Sequence, residues 1–321
     1  MKKIEISLDA MGGDNAPEIV IKGASEAKTR YPDISYTFFG DKEQLMPLIE
    51  SYKNLNNYNL IHTKSYVKPD DKPSNIIRKG LKTSMAMSIN AVKLKKADAI
   101  VSAGNTGALM GFSKLFLRTM PGINRPAIAT CLPTIKGELC MLDLGANLDC
   151  DKNNLVQFAI MGQAFAKIIM GLNDPRVSLL NIGEEETKGL ENIQEASKIL
   201  IKLKKILNYY GFVEGDQITN GLVDVIVTDG FTGNIALKTA EGTANFITNS
   251  LKQSFNRTFF SKIGYLLAKK SLESFKTHMD PRKYNGAVLL GLNGITVKSH
   301  GGTDSYGFSN AIGVAYDMVK Y

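Results

Sequence analysis

Two stretches of this 321-residue chain repeat one pattern of small polar residues. Asp98 to Gly107 reads DAIVSAGNTG, and Asp224 to Gly233 reads DVIVTDGFTG. Each is an apolar, β-branched run ending in a hydroxyl residue, then a G-x-T-G turn, then a helical pattern. Glycine lets backbone approach a ligand, and the helix start offers N–H groups and a positive dipole end to an anion. One such turn reads as no more than a threonine N-cap. Two copies predict matching strand ends in one sheet, with an anion or polar-ligand site beyond them. The 29 glycines include no pair separated by a single residue, so the dinucleotide fingerprint G-x-G-x-x-G is absent. The phosphate loop G-x-x-x-x-G-K-[ST] and the nucleophile elbow G-x-S-x-G are absent too. Histidine occurs only at 62, 278 and 300, so H-E-x-x-H is impossible. Polar strand ends without an activated nucleophile suit chemistry in which the substrate brings its own. Inorganic phosphate does so, and the protein then has only to hold it and stabilise a developing oxyanion.

These turns need elements to carry them. Ile4–Leu8, Tyr36–Phe39, Asn59–His62, Ala99–Ser102, Leu139–Leu144, Val177–Ile182 and Val223–Thr228 read as strands. Glu18–Lys28, Lys42–Tyr52, Ser74–Lys95, a helix from Thr106 and Gln194–Tyr209 alternate with them. That alternation predicts an α/β protein: a three-layer α/β/α sandwich over a largely parallel sheet, one domain across residues 1–321. Val288–Leu292 and Ile295–Val297 flank Asn293-Gly294 and predict a hairpin, which makes the sheet mixed. The apolar run Leu155 to Leu172, broken by Gln157, Gln163 and Lys167, reads as a buried core helix and not a membrane span. The opening MKKIEISLDAMGGD lacks an apolar segment after its lysines, so a signal peptide is not expected and a cytoplasmic location is. Three cysteines without C-x-x-C spacing predict neither a zinc site nor a disulfide framework. The net charge of +8 favours an anionic partner: nucleic acid, a membrane surface, an acidic protein or a phosphorylated substrate. No aromatic-interleaved basic motif supports nucleic acid.

Thr243 to Met279 differs from the rest. Ile247, Leu251, Phe255 and Phe259 recur every four residues. Phe260, Ile263, Leu266 and Leu267 extend the apolar surface, amid Lys252, Arg257, Lys262, Lys269, Lys270 and Lys276 and one acid, Glu273. The pattern predicts a projecting pair of helices joined near Ser261–Gly264. It packs a dimer, or it touches an anionic membrane through Phe259, Phe260, Ile263, Leu266 and Leu267 without spanning it.

Taken in order, LDAMGGD at 8–14, SAGNTGA at 102–108, RPAI at 125–128, LDLGAN at 142–147, NIGEEETKG at 181–189, DGFTGN at 229–234, LKTAEG at 237–242 and LLGLNG at 289–294, then Lys298, His300 and Gly301, resemble the PlsX-type phosphate acyltransferase family along the whole chain. The resemblance implies an enzyme of bacterial phospholipid synthesis that converts acyl-acyl carrier protein and inorganic phosphate into acyl phosphate and free carrier. It implies a fold similar to isocitrate/isopropylmalate dehydrogenases and phosphotransacetylases, a homodimer, and no cofactor or metal. A membrane glycerol-3-phosphate acyltransferase would act next. By the same resemblance Lys188, Asn234 and His300 are candidate catalytic residues. Lys188 neutralises phosphate or the tetrahedral oxyanion, or else pairs with Glu184, Glu185 or Glu186. His300 donates to phosphate, protonates the leaving thiolate, or is structural. Asn105, Thr106 and Gly107 are expected to line one side of the substrate site, and Thr232, Gly233 and Asn234 the other. Glu184 positions Lys188. Asn147 joins the site or caps the helix near Lys152. Asp9, Gly12 and Gly13 complete it, with Asp9 and Asp14 as turn residues or, alternatively, metal ligands. The sequence departs from the family at Asn285-Gly286-Ala287-Val288, where proline is usual, and at Gly302-Thr303-Asp304, where Asp304 is expected to weaken an anion site. Competing readings are an acyl-CoA-dependent phosphotransacylase, an NAD-dependent dehydrogenase and a silent membrane scaffold.

Overall fold

The computed structural model describes residues 3–278 and 280–321. The first half of the chain lays down β1 (Ile4–Asp9), α1 (Glu18–Arg30), β2 (Ile34–Gly40), α2 (Lys42–Glu50), β3 (Tyr58–His62), α3 (Pro73–Lys79), α4 (Ser84–Lys93), β4 (Ala99–Ser102) and α5 (Thr106–Leu117). The centre adds β5 (Ala127–Thr134), β6 (Gly137–Leu142), α6 (Lys152–Ile169), β7 (Val177–Leu180), α7 (Glu191–Lys202), β8 (Tyr209–Val213) and β9 (Val225–Val227). The chain closes with α8 (Gly230–Asn256), α9 (Phe259–His278), β10 (Ala287–Leu290), β11 (Ile295–Lys298) and α10 (Ser305–Lys320).

Among the described residues these strands form one 11-stranded sheet, ordered β3-β2-β1-β4-β11-β10-β5-β6-β9-β7-β8. Alternation along each strand sends side chains to opposite faces and so into two cores. Ala99 and Val101 of β4, with Val225 and Val227 of β9, join the core under α1, α10, α6 and α7, which supply Ile21, Phe308, Phe158 and Leu200. Ile100 and Ile226 face the other way, into the core that Met85 of α4 and Phe112 of α5 fill and that Leu237 of α8 packs against. Helices therefore cover both faces, as the α/β/α reading requires.

The repeat is also visible in the sheet. β4 and β11 are parallel, β11–β10, β10–β5 and β5–β6 are antiparallel, and β6 and β9 are parallel. Three reversals mean that β9 runs opposite to β4. A two-fold axis between β10 and β5 matches β4, β11 and β10 to β9, β6 and β5. The two G-x-T-G turns are thus equivalent, but they leave the sheet in opposite directions. Both turns follow strands of one sheet, as their repeat predicts, but at opposite edges of it.

Several boundaries also differ. Ser74–Lys95 is two helices, because Gly80 and the Thr83 cap of α4 break it. Tyr209 belongs to a strand, β8, and not to the preceding helix. The expected β10–β11 hairpin is present, with Val288 opposite Val297. The projecting pair starts earlier than expected, at Gly230. Its junction is Arg257–Thr258, so Phe255 and Phe259 lie on different helices. Met279, the predicted end of this pair, lies outside the described residues. Among the described residues, no helix is long and apolar enough to cross a membrane.

Candidate active site

The parallel block β6-β9-β7-β8 brings four carboxyl ends side by side. The turn after β6 is organised by Asp143, whose buried carboxylate accepts from Ile128 N, Ala146 N, Asn147 N and Asn147 Nδ2 at 2.7–3.1 Å. Burial pushes its pKa up, and these bonds oppose the rise. Asn147 Nδ2 also donates to Pro126 O at 2.8 Å. Asn147 therefore ties its own loop and caps no helix. Asp151 caps α6, accepting from Asn154 N at 2.8 Å.

Against this loop sits the first turn of α8. Gly230 N donates to Asn147 O at 2.7 Å. A Cβ on Gly230 would fall 2.6 Å from that oxygen, and one on Gly233 2.0 Å from Asp143 O. Both glycines of this turn are required by close backbone approach, and Gly233 supports the site from beneath. Asp229, not Thr232, is the N-cap: it accepts from Thr232 N and Thr232 Oγ1, both at 2.8 Å. Asn234 is exposed, with its carboxamide lying over Gly145.

After β7, Asn181 Nδ2 holds Lys188 O at 3.1 Å, and Gly189 at φ +85° leaves room for the Asn181 side chain. The Lys188 stem crosses Gly183, and the side chain is exposed. Among the described residues no carboxylate lies within ion-pairing distance of Lys188. The reading of Lys188 as a partner of Glu184, Glu185 or Glu186 is corrected accordingly. Glu184 accepts instead from Gln217 Nε2 of the turn after β8, at 2.6 Å, and so does not position Lys188. Lys188, Asn234, Thr232, Gly233, Asn147 and Glu184 thus follow strands of one parallel block, with an unpaired cation and the exposed Asn234 amide among them.

The remaining candidates gather at the ends of β1, β4 and β11. Asp9 is buried, and its two oxygens accept from Ser84 Oγ at 2.6 Å and Ser102 Oγ at 2.7 Å. Burial pushes its pKa up. It fastens strand to helix and cannot touch a substrate in this arrangement. A Cβ on Gly12 would fall 2.4 Å from Asp9 Oδ2, and one on Gly13 2.9 Å from Ala103 Cβ. Both glycines serve loop packing. Asn105 caps α5 through Ala108 N at 3.0 Å and donates to Pro69 O at 2.9 Å and Asp71 O at 3.3 Å, so both ends of its amide are used. Gly107 makes room for Pro73 of α3, which a Cβ would meet at 2.6 Å. Thr106 is exposed at the helix start. His300 is exposed, and its Nδ1 accepts from Gly302 N at 3.2 Å. Asp304 caps α10 and pairs with Arg282 at 2.6 Å, so its charge is engaged. Among the described residues no grouping of three His, Cys, Asp or Glu has the form of a metal site.

Sequence reasoning missed Lys298 as a site residue. Partly buried, it turns its ammonium to Ala103 O and Ser299 O, and burial lowers its pKa to about 8 against the pull of Asp14 and Asp9. Lys238 of α8 adds a further lowering. Asn234 and Lys238, four residues apart, share a face of α8. Asp143 and Asp229 were also missed. The spacing of Asp229 and Thr232 is a cap signal that finds the latter, whereas nothing local links Asp9 to Ser84.

The family model described as "Fatty acid synthesis protein" matches residues 4–321. A phosphate acyltransferase of Paramagnetospirillum magneticum is 50% identical over 319 residues, covering 99% of this chain and 91% of that protein. In structure, the chain is similar to a phosphotransacetylase from Streptococcus pyogenes, with a TM-score of 0.68 at 17% identity over 99% of this chain and 94% of the other. It is also similar to a 4-hydroxythreonine-4-phosphate dehydrogenase from Burkholderia phymatum, with a TM-score of 0.51 at 14% identity over 100% and 96% of the two chains. At such identities these two likenesses speak for the fold.

Proposed function

The chain belongs to the fatty acid synthesis protein family, is an acyltransferase of the phosphate acyltransferase kind, and from that premise we propose that it moves a fatty acyl group from acyl carrier protein to inorganic phosphate. A phosphate oxygen attacks the thioester carbonyl. The carbon–sulfur bond breaks, the carrier leaves as a thiolate that takes up a proton, and the acyl phosphate departs as a mixed anhydride. The observation that carries the reading is one strand-end edge, where unpaired Lys188 follows β7 and exposed Asn234 follows its parallel neighbour β9. Phosphate supplies the nucleophile, Lys188 offsets charge on phosphate and oxyanion, and the Asn234 amide donates to the oxyanion. The positive dipole end of α8 adds to the same edge, with Thr232 spent on the Asp229 cap and Asn147 and Gly233 holding the floor. Thr106 and His300 stand at the β4–β11 end, on the opposite edge of the sheet. A thiol leaves readily, its reference pKa being about 8.5, so His300 need not act as an acid.

The product would serve phospholipid synthesis through a membrane glycerol-3-phosphate acyltransferase. The helical pair supports work at a membrane surface in the cytoplasm. Phe259, Phe260, Leu266 and Leu267 are 73%, 83%, 68% and 85% exposed, and Ile263 41%. No described side chain of α8 beyond Gly233, or of α9, is buried. The same apolar stretch suits packing between copies in a homodimer.

The test is palmitoyl-acyl carrier protein with and without phosphate, following carrier thiol release and hydroxylamine trapping of acyl phosphate. Phosphate-dependent release with a trappable product is expected. Release from acyl-CoA but not from the carrier would assign a phosphotransacylase, and no release from either would leave a scaffold.

A further inference from the structure

Between the end of β3 and the start of α4 lies a recess of about 320 Å³ whose rim carries Lys64, Lys68, Lys79 and Lys82. Residues 63–83 hold five lysines and Arg78 against Asp70 and Asp71. Asp71 is already engaged, accepting from Lys68 N at 2.8 Å. Lys64 reaches Glu43 at 3.5 Å, with both side chains largely in solvent. Among the described residues no carboxylate pairs with Lys68, Lys79 or Lys82. Four like charges around one opening repel each other, and an anionic partner relieves that repulsion. The floor is built rather than loose. Thr63 Oγ1 donates to Lys82 O at 2.7 Å, and Ser84 N donates to Ser65 O at 2.9 Å. Ile76 lines the recess, and Tyr66 and Leu81 are 43% and 51% exposed at this segment. Cations around apolar contacts fit an amphipathic acidic protein surface better than a bare phosphate.

Position adds the second argument. The same segment is strapped to the Asn105 turn through Pro69 O and Asp71 O, and Pro73 lies on Gly107. Next along the chain, Ala103 O accepts from the Lys298 ammonium at 3.3 Å. The recess therefore opens at the carboxyl-end edge shared by β3, β4 and β11, beside the Asn105 turn and the end that holds Lys298.

We propose that this lysine-ringed recess is the docking surface for the acidic face of the protein that carries the acyl thioester. The inference rests on the acyl-carrier reading above. Its test is Lys68→Glu/Lys79→Glu/Lys82→Glu, with Lys68→Gln/Lys79→Gln/Lys82→Gln as the milder set. The charge reversal is expected to raise KM for palmitoyl-acyl carrier protein and to weaken anisotropy-measured binding of labelled carrier, each by about tenfold or more. The milder set should fall between. Turnover of a small uncharged palmitoyl N-acetylcysteamine thioester should not change, which also reports an intact fold. Carrier affinity should fall with added salt in the parent and little in the variant. Unaltered carrier affinity in the charge-reversed protein overturns the docking surface whatever the turnover. Carrier binding by the parent without thiol release overturns the activity instead. Loss of anionic-vesicle pelleting with carrier binding intact would reassign the recess to lipid.

Discussion

Each reacting-edge residue is defined by what its neighbours leave free. Lys188 has its backbone held by Asn181 and Gln194, yet its ammonium is unpaired among the described residues. Lys188→Ala should lower kcat about 100-fold or more, with circular dichroism and melting temperature unchanged. A well-folded variant with near-parent turnover would remove Lys188 from the chemistry. Lys298 is the opposite case, a cation brought inward. Its folded pKa of about 8 lies below the ordinary 10.5. Between those values the unfolded chain binds more protons, so stability from this group rises with pH. Relative to Lys298→Met, the parent should gain on the order of 2 kcal/mol in urea unfolding as pH rises from about 8 to about 10.5. A gap independent of pH would show that the ammonium is ordinarily solvated.

Elements explain why the helical pair stands apart. α8 buries only Gly230 and Gly233, at its sheet end. Beyond them the two helices pack on each other, with the Phe255 and Tyr265 rings 5.7 Å apart. Leaving Phe260 and Leu267 in water costs about 2 kcal/mol each relative to burial, which a lipid surface or a second copy would recover. Leu266→Glu/Leu267→Glu should therefore cut pelleting with anionic vesicles severalfold. The melting temperature should move by less than about 2 °C, since exposed substitutions rarely exceed 0.5 kcal/mol. Unchanged pelleting would leave dimer packing as the role of the apolar stripe. At this scale most of the fold was legible: β4 and the start of α5 stand where their β-branched run and G-x-T-G turn predict. The break between α3 and α4 was not, because periodicity continues across Gly80 while the chain bends to let α3 pack on Gly107 and Gly111.

The whole molecule is a sheet whose two halves oppose each other in direction while sharing both cores. One core runs from Phe38 of β2 to Phe212 of β8, and the other from Ile100 of β4 to Ile226 of β9. Neither half keeps a complete core alone, so we propose that the chain unfolds as one domain. The sequence lacks tryptophan, so Tyr58→Trp and Phe212→Trp can report on the two ends separately. Coincident urea midpoints are expected, and resolved midpoints would mean that the halves fold independently. The same opposition places the paired turns, each at the carboxyl end of its strand, at opposite edges of the sheet.

By itself the sequence determined the α/β alternation, the two related strand–turn–helix units, the basic apolar projection and the family resemblance. All of these are patterns of near neighbours, set by side-chain period and turn chemistry. Only the tertiary structure decided which turns share an edge, because strand direction follows from the reversals at β10, β5 and β6 and not from any local run of residues. It also decided which polar residues are spent on the fold. Asp9 is tied to Ser84 across 75 residues and Asn105 to Pro69 across 36. Lys188 is left free because Glu184 turns to Gln217, 33 residues onward. Hydrogen-bond partners so distant in sequence are chosen by how the layers pack.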